Sequence, residues 1–440
     1  MFKIFLAIFI ILFGSITQAI DLPKGYLLVQ EVKTRKQNAI SALETANLVF
    51  SNIKGRVDGV EFVTQDFDDA DLTTHKMAAD VAKKYGIDLW GSSYHLALEK
   101  TSQFGNWKRD NPQFVAYKMN KDGSIVMVDG LFDTLNPEAV AWFIAQYKTK
   151  YLIPFKGILK GYFINEDVIF SFTKDNKRFP YYDNATYSPS VLKQWLEYCK
   201  TNNIKYNNII VDKFPVDKRQ MVNNGNGQTQ YFPDYNIPEY IMLGTRFVDI
   251  KQPQGVWKAW YDFISKLFIE NWIVALARAA NQVNSDNPDW YGVIYFGLHH
   301  WTLPYEEIEN RNFTVPFRHQ WKAWGRQRGI DLAILASQPE IKVIVCETYP
   351  KIIEGNLENF ISEYKRIVTS NGRLFGLMVH RDDNWKLNID EEKERFRIIN
   401  KYQPQIIVRY PLWWMYPTTR HYIKDMEDNF SKNINEYKNR

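Results

Sequence analysis

Short apolar runs recur along the chain and alternate with longer stretches of helical periodicity. The runs are rich in Val, Ile, Phe and Tyr and lack a strict alternation of apolar and polar residues. This composition is typical of strands buried on both faces, as in a parallel sheet that is covered by helices. Eight such strands are predicted, at residues 25–32, 59–65, 87–92, 159–166, 291–297, 341–347, 373–380 and 405–413.

Helical patterns lie between the predicted strands. They cover residues 39–50, 73–85, 137–148, 191–200, 257–283, 358–368 and 391–402. Asn136-Pro137 and Ser188-Pro189 precede two of these patterns, and a polar cap followed by proline is typical of a helix start. Strands that alternate with helices in this way predict an α/β fold, a single (β/α)₈ TIM barrel with long βα loops.

The two ends of the chain differ from this repeating pattern. Lys3, an apolar run over residues 4–13 and the small residues Thr17 and Ala19 indicate a signal peptide over residues 1–19. The barrel is expected to cover residues 20–425, and residues 426–440 are expected to form a polar, frayed tail. We therefore expect a secreted or periplasmic protein that does not associate with the membrane after signal cleavage.

Two connections are longer than a barrel requires. Residues 96–136 separate the third strand from its helix, and residues 201–256 precede the long helix. Loops of this length in a compact domain are usually functional, and βα loops build the active-site face of a barrel. The second connection contains the flexible sequence NNGNG at residues 223–227 and is expected to act as a lid or a subsite wall.

Composition and charge argue against several classes of protein. The 440 residues carry a net charge of +5 without an arginine-rich stripe, which does not favour nucleic-acid binding. Only Cys199 and Cys346 are present, in a predicted helix and a predicted strand, so we expect two buried free thiols. No Cys/His spacing predicts a metal site, and no cofactor motif is found. Aromatic residues make up 15% of the chain, which fits a large core or a cleft for sugar rings.

Polar and aromatic residues follow the carboxyl ends of the predicted strands, where barrel enzymes hold their catalytic groups. Glycoside hydrolysis needs one carboxyl group to protonate the leaving oxygen and a second as nucleophile or base. We predict Glu166 as the acid/base, with Glu347 as the leading candidate for the second carboxylate. The expected substrate-binding residues are Glu31, Gln65, Asn165, His299, Tyr349, His380, Asp382, Trp385 and Trp413.

Several of these segments share their order with a known family. Residues 161–167 (GYFINED) are followed by residues 187–196 (YSPSVLKQWL), and Asn111-Pro-Gln-Phe with Asp122-Gly123 precedes them. Residues 345–350 (VCETYP) and 375–378 (FGLM), with Asn384-Trp385, come later. Together they resemble the clan A glycoside hydrolases, most closely the family 42 β-galactosidases. The resemblance implies a TIM barrel that acts on carbohydrate, with an Asn-Glu pair (here Asn165-Glu166) carrying the acid/base.

The chain departs from that family at the nucleophile. The family has a glutamate immediately after the methionine of the seventh strand, whereas no glutamate follows Met378. Three interpretations stay open: Glu347 supplies the second carboxylate, Asp382 or Asp383 acts as an inverting base, or the barrel binds sugar without hydrolysing it. A different strand count, with residues 207–211 as the fifth strand, would put Glu347 on the seventh strand and leave a ninth strand to explain.

The sequence therefore predicts an exported glycoside hydrolase that acts on an oligo- or polysaccharide by two-carboxylate catalysis. The alternative is a non-catalytic carbohydrate-binding barrel, a degenerate glycosidase, which the missing glutamate favours. A barrel enzyme of another class is a third hypothesis, because this fold supports many chemistries.

Overall fold

Eight parallel strands pair side by side and close into a barrel in chain order. In a computed structural model, the described residues are 21–33, 39–63, 69–92, 110–119, 124–165, 187–215, 222–223, 228–230, 240–243, 246–249, 255–296, 330–348, 357–380, 389–410 and 424–440. The barrel strands are β1 (Tyr26–Lys33), β2 (Gly59–Val63), β3 (Asp88–Ser92), β4 (Gly161–Asn165), β5 (Val293–Phe296), β6 (Val343–Thr348), β7 (Leu374–His380) and β8 (Ile406–Tyr410). Each overlaps one of the predicted strands, so the predicted TIM barrel is confirmed.

Helices cover the outside of the barrel. They are α1 (Ala39–Ile53), α2 (Asp69–Tyr85), α3 (Pro137–Tyr147), α4 (Pro189–Thr201), α5 (Gly255–Phe268), α6 (Val274–Val283), α7 (Leu332–Ala336), α8 (Leu357–Ser370), α9 (Ile389–Tyr402) and α10 (Lys424–Lys438). A π-helical turn, Ile269–Ile273, joins α5 to α6, so the long helix predicted over residues 257–283 is one continuous element. A second π-helical turn, Lys148–Leu152, extends α3.

Two helix starts follow the predicted cap chemistry. The Asn136 side chain accepts hydrogen bonds from the backbone N–H groups of Glu138 and Ala139 at 3.0 and 3.4 Å. The Ser188 hydroxyl accepts from the backbone N–H of Val191 at 3.3 Å. Both caps satisfy amide groups that the first helical turn leaves without an intrahelical partner, and each is followed by the predicted proline.

The prediction of a frayed C-terminal tail is wrong. Residues 424–438 form α10, and its Phe430, Ile434 and Tyr437 are buried. These three residues recur at helical spacing, so the segment has an apolar stripe despite its polar composition. Lys438 also contacts the Asp58 carboxylate at 2.5 Å, which ties the end of the chain to the start of β2. The segment therefore packs against the barrel.

The long connections contain short antiparallel strands of their own. Val115–Met119 pairs with Ile125–Phe132 in the first connection. In the second, Lys205–Tyr206 pairs with Ile209–Ile210 across a turn whose Asn207 and Asn208 have positive φ angles of 49° and 65°. Asparagine tolerates this backbone region and favours such hairpins. Residues 207–211 are thus outside the barrel, and the alternative strand count is wrong.

Alternate residues of each barrel strand face two different cores. The inner cluster contains Tyr26, Leu28, Trp90, Phe163, Ile294, Phe296, Val343, Val345, Met378, Ile406 and Val408. The intervening residues pack outward against the helices, and Cys346 is one of them. Cys199 and Cys346 are buried free thiols, as predicted. None of the described helices is long and apolar enough to span a bilayer.

Candidate active site

The carboxyl ends of the barrel strands bring four of the predicted site residues to one face. Asn165 is the last residue of β4 and lies in register with Phe296 of β5. Glu347 lies in β6, opposite Met378 of β7. His380 ends β7. Because the strands are parallel and adjacent, these positions belong to the same end of the barrel, which is the end that carries the active site in barrel enzymes.

Glu31 is also a strand residue, at an irregular place in β1. Val29 pairs with Val60, and Val32 pairs with Phe62, so two residues of β1 stand opposite one residue of β2. Gln30 and Glu31 form this β-bulge. Bulges are common at the rims of barrels and beside active sites, where they change the direction of a side chain.

The other predicted site residues lie outside the described residues. They are Gln65, Glu166, His299, Tyr349, Asp382, Trp385 and Trp413. Of these residues, Glu166 directly follows Asn165, the last residue of β4.

The strand count resolves the position of Glu347. It lies on the sixth barrel strand, in the residue after the outward-packed Cys346 and two residues after the inward-packed Val345. The seventh strand has Val379 where the resembled family has its glutamate, and Val379 is buried among the outer core residues. The glutamate that the resembled family has at this place is therefore absent from β7.

One carboxylate inside the barrel, Glu61 of β2, was not among the predicted site residues. It is fully buried, and its Oε1 accepts a hydrogen bond from the Ser92 hydroxyl at 2.5 Å. Ser92 is the last residue of β3, and its carbonyl accepts from the Tyr147 hydroxyl at 3.4 Å. A single glutamate within the apolar run GVEFV was the available signal, since Val60 packs outward and the next residue of a strand lies on the opposite face.

The opposite end of the barrel is closed by aromatic rings. The Trp90 indole N–H donates to the Tyr26 hydroxyl at 3.0 Å, and that hydroxyl donates to the Asp88 carboxylate at 2.9 Å. Tyr291 stacks on Trp90 with ring centroids 5.9 Å apart. Burial raises the pKa of Asp88, while its bond from Tyr26 and the charge of Lys160 lower it. These rings fill the interior of the barrel near the amino ends of the strands.

A second buried carboxyl group lies within the first of the long connections. Asp133 lies shortly before Asn136, the cap of α3, and its Oδ1 accepts from the backbone N–H of Leu135 at 3.0 Å. Burial raises its pKa from 3.8 to about 6, although contacts with Ser188 and with backbone amides offset part of that effect. Asp133 thus connects the start of α3 with the Ser188 cap of α4.

A groove of about 550 Å³ lies on the outer side of the barrel, between α3, α4 and α5. Its floor includes the buried Phe263 and Leu267, and its rim carries Glu138, Lys193 and Glu197. The groove is formed by helix surfaces and not by the carboxyl ends of the strands, so it is separate from the candidate active site. Among the described residues, no group of three His, Cys, Asp or Glu side chains has the arrangement of a metal site.

Solved structures with a similar fold match the chain at low identity. An endo-β-1,4-mannanase from Thermotoga petrophila is 8% identical with a TM-score of 0.45, and the match covers 96% of this chain and 77% of that chain. An α-amylase from Lactobacillus plantarum is 9% identical with a TM-score of 0.40, over 94% and 80% of the two chains. A HpcH/HpaI aldolase from Desulfitobacterium hafniense is 7% identical with a TM-score of 0.31, over 94% and 93%. At these identities, the similarity concerns the fold alone.

No protein-family model matches the sequence, and no curated protein matches it.

Proposed function

We propose that the protein is an exported glycoside hydrolase, with Glu166 as general acid/base and Glu347 as the second carboxylate. The observation that carries the proposal is the position of Asn165 at the carboxyl end of the fourth barrel strand, with Glu166 as the next residue. Glu347 lies near the same end of the sixth strand, and one strand separates the two. Two carboxylates at the mouth of a closed barrel are what glycoside hydrolysis requires.

The two carboxylates have distinct roles in this proposal. Glu166 protonates the glycosidic oxygen as the bond breaks, and Asn165 accepts or donates a hydrogen bond at a neighbouring sugar hydroxyl. The backbones of β4 and β6 are separated by two strand spacings, on the order of 10 Å. Two glutamate side chains that extend toward each other across that gap can bracket a sugar ring. A separation of roughly 5–5.5 Å would give retention, and roughly 6.5–9.5 Å would give inversion.

The remaining predicted residues complete the substrate site. Glu31, Gln65, His299, His380 and Asp382 supply polar groups for sugar hydroxyls. Tyr349, Trp385 and Trp413 supply a polar aromatic group and flat faces for pyranose rings. Sequencing of the mature N-terminus tests the proposed export, with cleavage after Ala19 as the expected result.

The test of the enzyme is a leaving-group series with Glu166→Gln. An aryl glycoside with a poor leaving group needs protonation, so its turnover should fall by about 10³-fold. A substrate with a good leaving group should keep much of its rate of bond cleavage, because its departure needs no proton. Glu436→Gln, an exposed glutamate of α10, is the matched control and should leave both rates unchanged. Full activity of Glu166→Gln on the poor leaving group would refute the proposal.

The second candidate function is sugar binding without hydrolysis. The observation that favours it is the seventh strand, where Met378 and Val379 are both buried apolar residues and no carboxylate is available. Calorimetric titration with a panel of oligosaccharides separates the two functions. Binding without turnover in the wild-type protein, unaffected by Glu347→Ala, would select the binding protein over the enzyme.

A further inference from the structure

The groove between α3, α4 and α5 has no role in the proposed mechanism. Its volume of about 550 Å³ lies within the range of small-molecule sites, roughly 300–1,000 Å³. The buried Phe263 and Leu267 and the half-buried Tyr198 supply apolar surface. Two amide side chains, Asn136 and Gln194, line the same groove. Apolar surface with a few polar groups among it is the usual composition of a ligand site.

The backbone holds both amide groups in place. The Asn136 Oδ1 atom accepts from the backbone N–H groups of Glu138 and Ala139 at 3.0 and 3.4 Å, and Asn136 is only 7% exposed. The Gln194 Nε2 atom donates to the carbonyl of Leu135 at 3.3 Å. Asn136 therefore offers its Nδ2 atom as a donor, and Gln194 offers its Oε1 atom as an acceptor. The two amides are neighbours, because the bond from Gln194 ends on the residue before Asn136.

The charged side chains around the groove nearly cancel. Among the described residues that line it are three glutamates and two lysines: Glu138, Glu197, Glu270, Lys193 and Lys266. All five are exposed, so they remain in contact with water at the rim. The Lys266 ammonium group lies 4.0 Å from the Glu270 carboxylate, which offsets two of these charges. The groove therefore has no strong field of one sign that would attract an ion.

This lining favours a neutral ligand with hydroxyl groups and an apolar face. A strongly charged ligand of either sign would meet like charges on the rim. A wholly apolar ligand would remove the amides of Asn136 and Gln194 from water without replacing their hydrogen bonds. A sugar ring avoids both costs, because its hydroxyls bond to amides and carboxylates while its C–H groups lie against apolar and aromatic surface.

One end of the groove lies on the mouth side of the barrel. Helix α3 begins after Asn136 and ends at Tyr147, whose hydroxyl bonds to the carbonyl of Ser92, the last residue of β3. From there the chain continues to the amino end of β4. Asn136 is therefore about 16 Å along the helix axis from Tyr147, in the direction of the carboxyl ends of the strands. A polymer in the groove can thus extend toward the mouth.

We propose that the groove is a second carbohydrate site, which binds a segment of a neutral polysaccharide on the outer side of the barrel. Asn136 donates to one sugar hydroxyl, Gln194 accepts from an adjacent one, and a face of the sugar ring lies against Tyr198. The exposed glutamates and lysines bond to the outer hydroxyls. The use of this site in polymer cleavage rests on the proposed function, whereas the binding itself does not.

The test places a fluorescent reporter on the rim, so that binding at the mouth does not contribute. Lys193→Cys is labelled with an environment-sensitive dye in the full chain, since the native thiols Cys199 and Cys346 are buried. It is titrated with cellohexaose, mannohexaose and xylohexaose, and with an anionic hexagalacturonate. We expect a saturable response to at least one neutral hexasaccharide and none to the anionic one.

Gln194→Leu in the labelled protein removes the amide and keeps the size of the side chain. It should raise the Kd about tenfold, the effect of one lost hydrogen bond. Gln146→Leu, a half-buried glutamine of α3 away from the groove, is the matched control and should leave the Kd unchanged. If Gln194→Leu does not fold, Glu197→Ala on the exposed rim takes its place, with a Kd about threefold higher expected. An unchanged Kd in that variant would count against the proposal.

Three outcomes would overturn the proposal. The first is the absence of a response to every neutral hexasaccharide, and the second is the same Kd in Gln194→Leu and wild type. The third is a dimer in sedimentation that Gln194→Leu dissociates, which would assign the groove to a second copy of the chain. A stronger response to hexagalacturonate would overturn the choice of a neutral ligand.

Activity separates this site from the proposed function. If the wild type hydrolyses glycosides, Gln194→Leu should lower the ratio of kcat/KM for a neutral polysaccharide to that for an aryl monoglycoside by about tenfold. Gln146→Leu should leave this ratio unchanged. A labelled groove that responds in a protein without turnover would refute the proposed function alone. Turnover in a protein whose groove gives no response would refute the second site alone.

Discussion

The carboxylates at the two ends of the barrel lie in different surroundings. At the amino end, the Asp58 carboxylate accepts from the backbone N–H of Leu27 at 2.7 Å and contacts the ammonium group of Lys438 at 2.5 Å. Asp88 accepts from the Tyr26 hydroxyl at 2.9 Å. These groups join β1, β2, β3 and α10, so each one links separate parts of the chain. Their arrangement serves the stability of the closed barrel.

Further toward the carboxyl end, Glu61 accepts a hydrogen bond from the hydroxyl of Ser92, the last residue of β3. Below it, Trp90 and its neighbours fill the interior with rings, and above it the strand positions become polar at Asn165, Glu347 and His380. Barrel enzymes generally separate stability and chemistry between these two faces. The comparison leads to three predictions, in order of expected effect.

The largest effect is expected from Trp90→Ala at the amino end. Trp90 is fully buried, stacks on Tyr291 and bonds to Tyr26, so its removal leaves a large cavity among three strands. The free energy of unfolding should fall by about 3–5 kcal/mol. Urea unfolding measured by circular dichroism gives this value. Trp142→Ala, which removes a half-buried indole from α3, is the control and should cost clearly less.

The division between the two ends would be contradicted if Trp90→Ala lowered the free energy of unfolding only slightly and Glu61→Gln lowered it strongly. That result would mean that Glu61 and Ser92 contribute more to the stability of the barrel than Trp90 and the rings around it. A loss of stability confined to Trp90→Ala, with substrate binding retained below the unfolding transition, would support the division between the two ends.

Much of the barrel could be predicted from the sequence, because buried parallel strands are marked by their apolar composition alone. All eight strands overlapped the predictions, and the caps at Asn136 and Ser188 followed from local chemistry. The C-terminal helix was missed because the polar residues outnumber Phe430, Ile434 and Tyr437, whose spacing was the better signal. The apolar periodicity of this segment, and not its polar composition, marks the helix.

The candidate site was predicted less completely, because its residues meet only through the register of the closed barrel. Glu61 was not predicted because it lies within a strand and not at its end, and Ser92, which donates to it, is 31 positions away in the chain. The bulge at Gln30 and Glu31 has no local sequence signal comparable to a glycine or proline. The sixth-strand position of Glu347 required a strand count that residues 207–211 made ambiguous.

The second prediction concerns Asp133, on the mouth side of the barrel. Burial raises its pKa from 3.8 to about 6, so the folded protein favours the protonated form. The stabilisation this provides is complete below pH 3.8 and is lost as the pH rises to about 6. Asp133→Asn stays neutral at every pH and keeps an oxygen for the Leu135 amide. It should therefore increase the free energy of unfolding by about 3 kcal/mol at pH 8, and by almost nothing at pH 4.

Urea unfolding of Asp133→Asn and wild type from pH 4 to pH 8 checks this dependence. Ser188→Ala is the companion variant, since Ser188 contacts Asp133 and caps α4. It should lower stability at both pH values by about 1 kcal/mol through the lost cap. Equal effects of Asp133→Asn at the two pH values would show that the carboxyl group titrates as it does in the unfolded chain.

The smallest effect is expected in thiol labelling, which reports how firmly the mouth strand is held. Cys346 is fully buried and immediately precedes Glu347 in β6, whereas Cys199 lies in α4, outside the barrel wall. Burial raises the pKa of Cys199 to about 12, so neither access nor ionisation favours its reaction in the folded protein. Labelling at pH 8 should be slow for both thiols, and the variants Cys199→Ser and Cys346→Ser separate the two rates.

The urea dependence of the Cys346 rate shows whether β6 opens by itself. If the carboxyl end of β6 belongs to the stable barrel, Cys346 should react only through global unfolding, and its rate should respond to urea with the full slope of the unfolding transition. A Cys346 rate that exceeds the Cys199 rate and is insensitive to low urea would mean that β6 opens locally, and Glu347 would then sit on a mobile strand and not on a rigid wall.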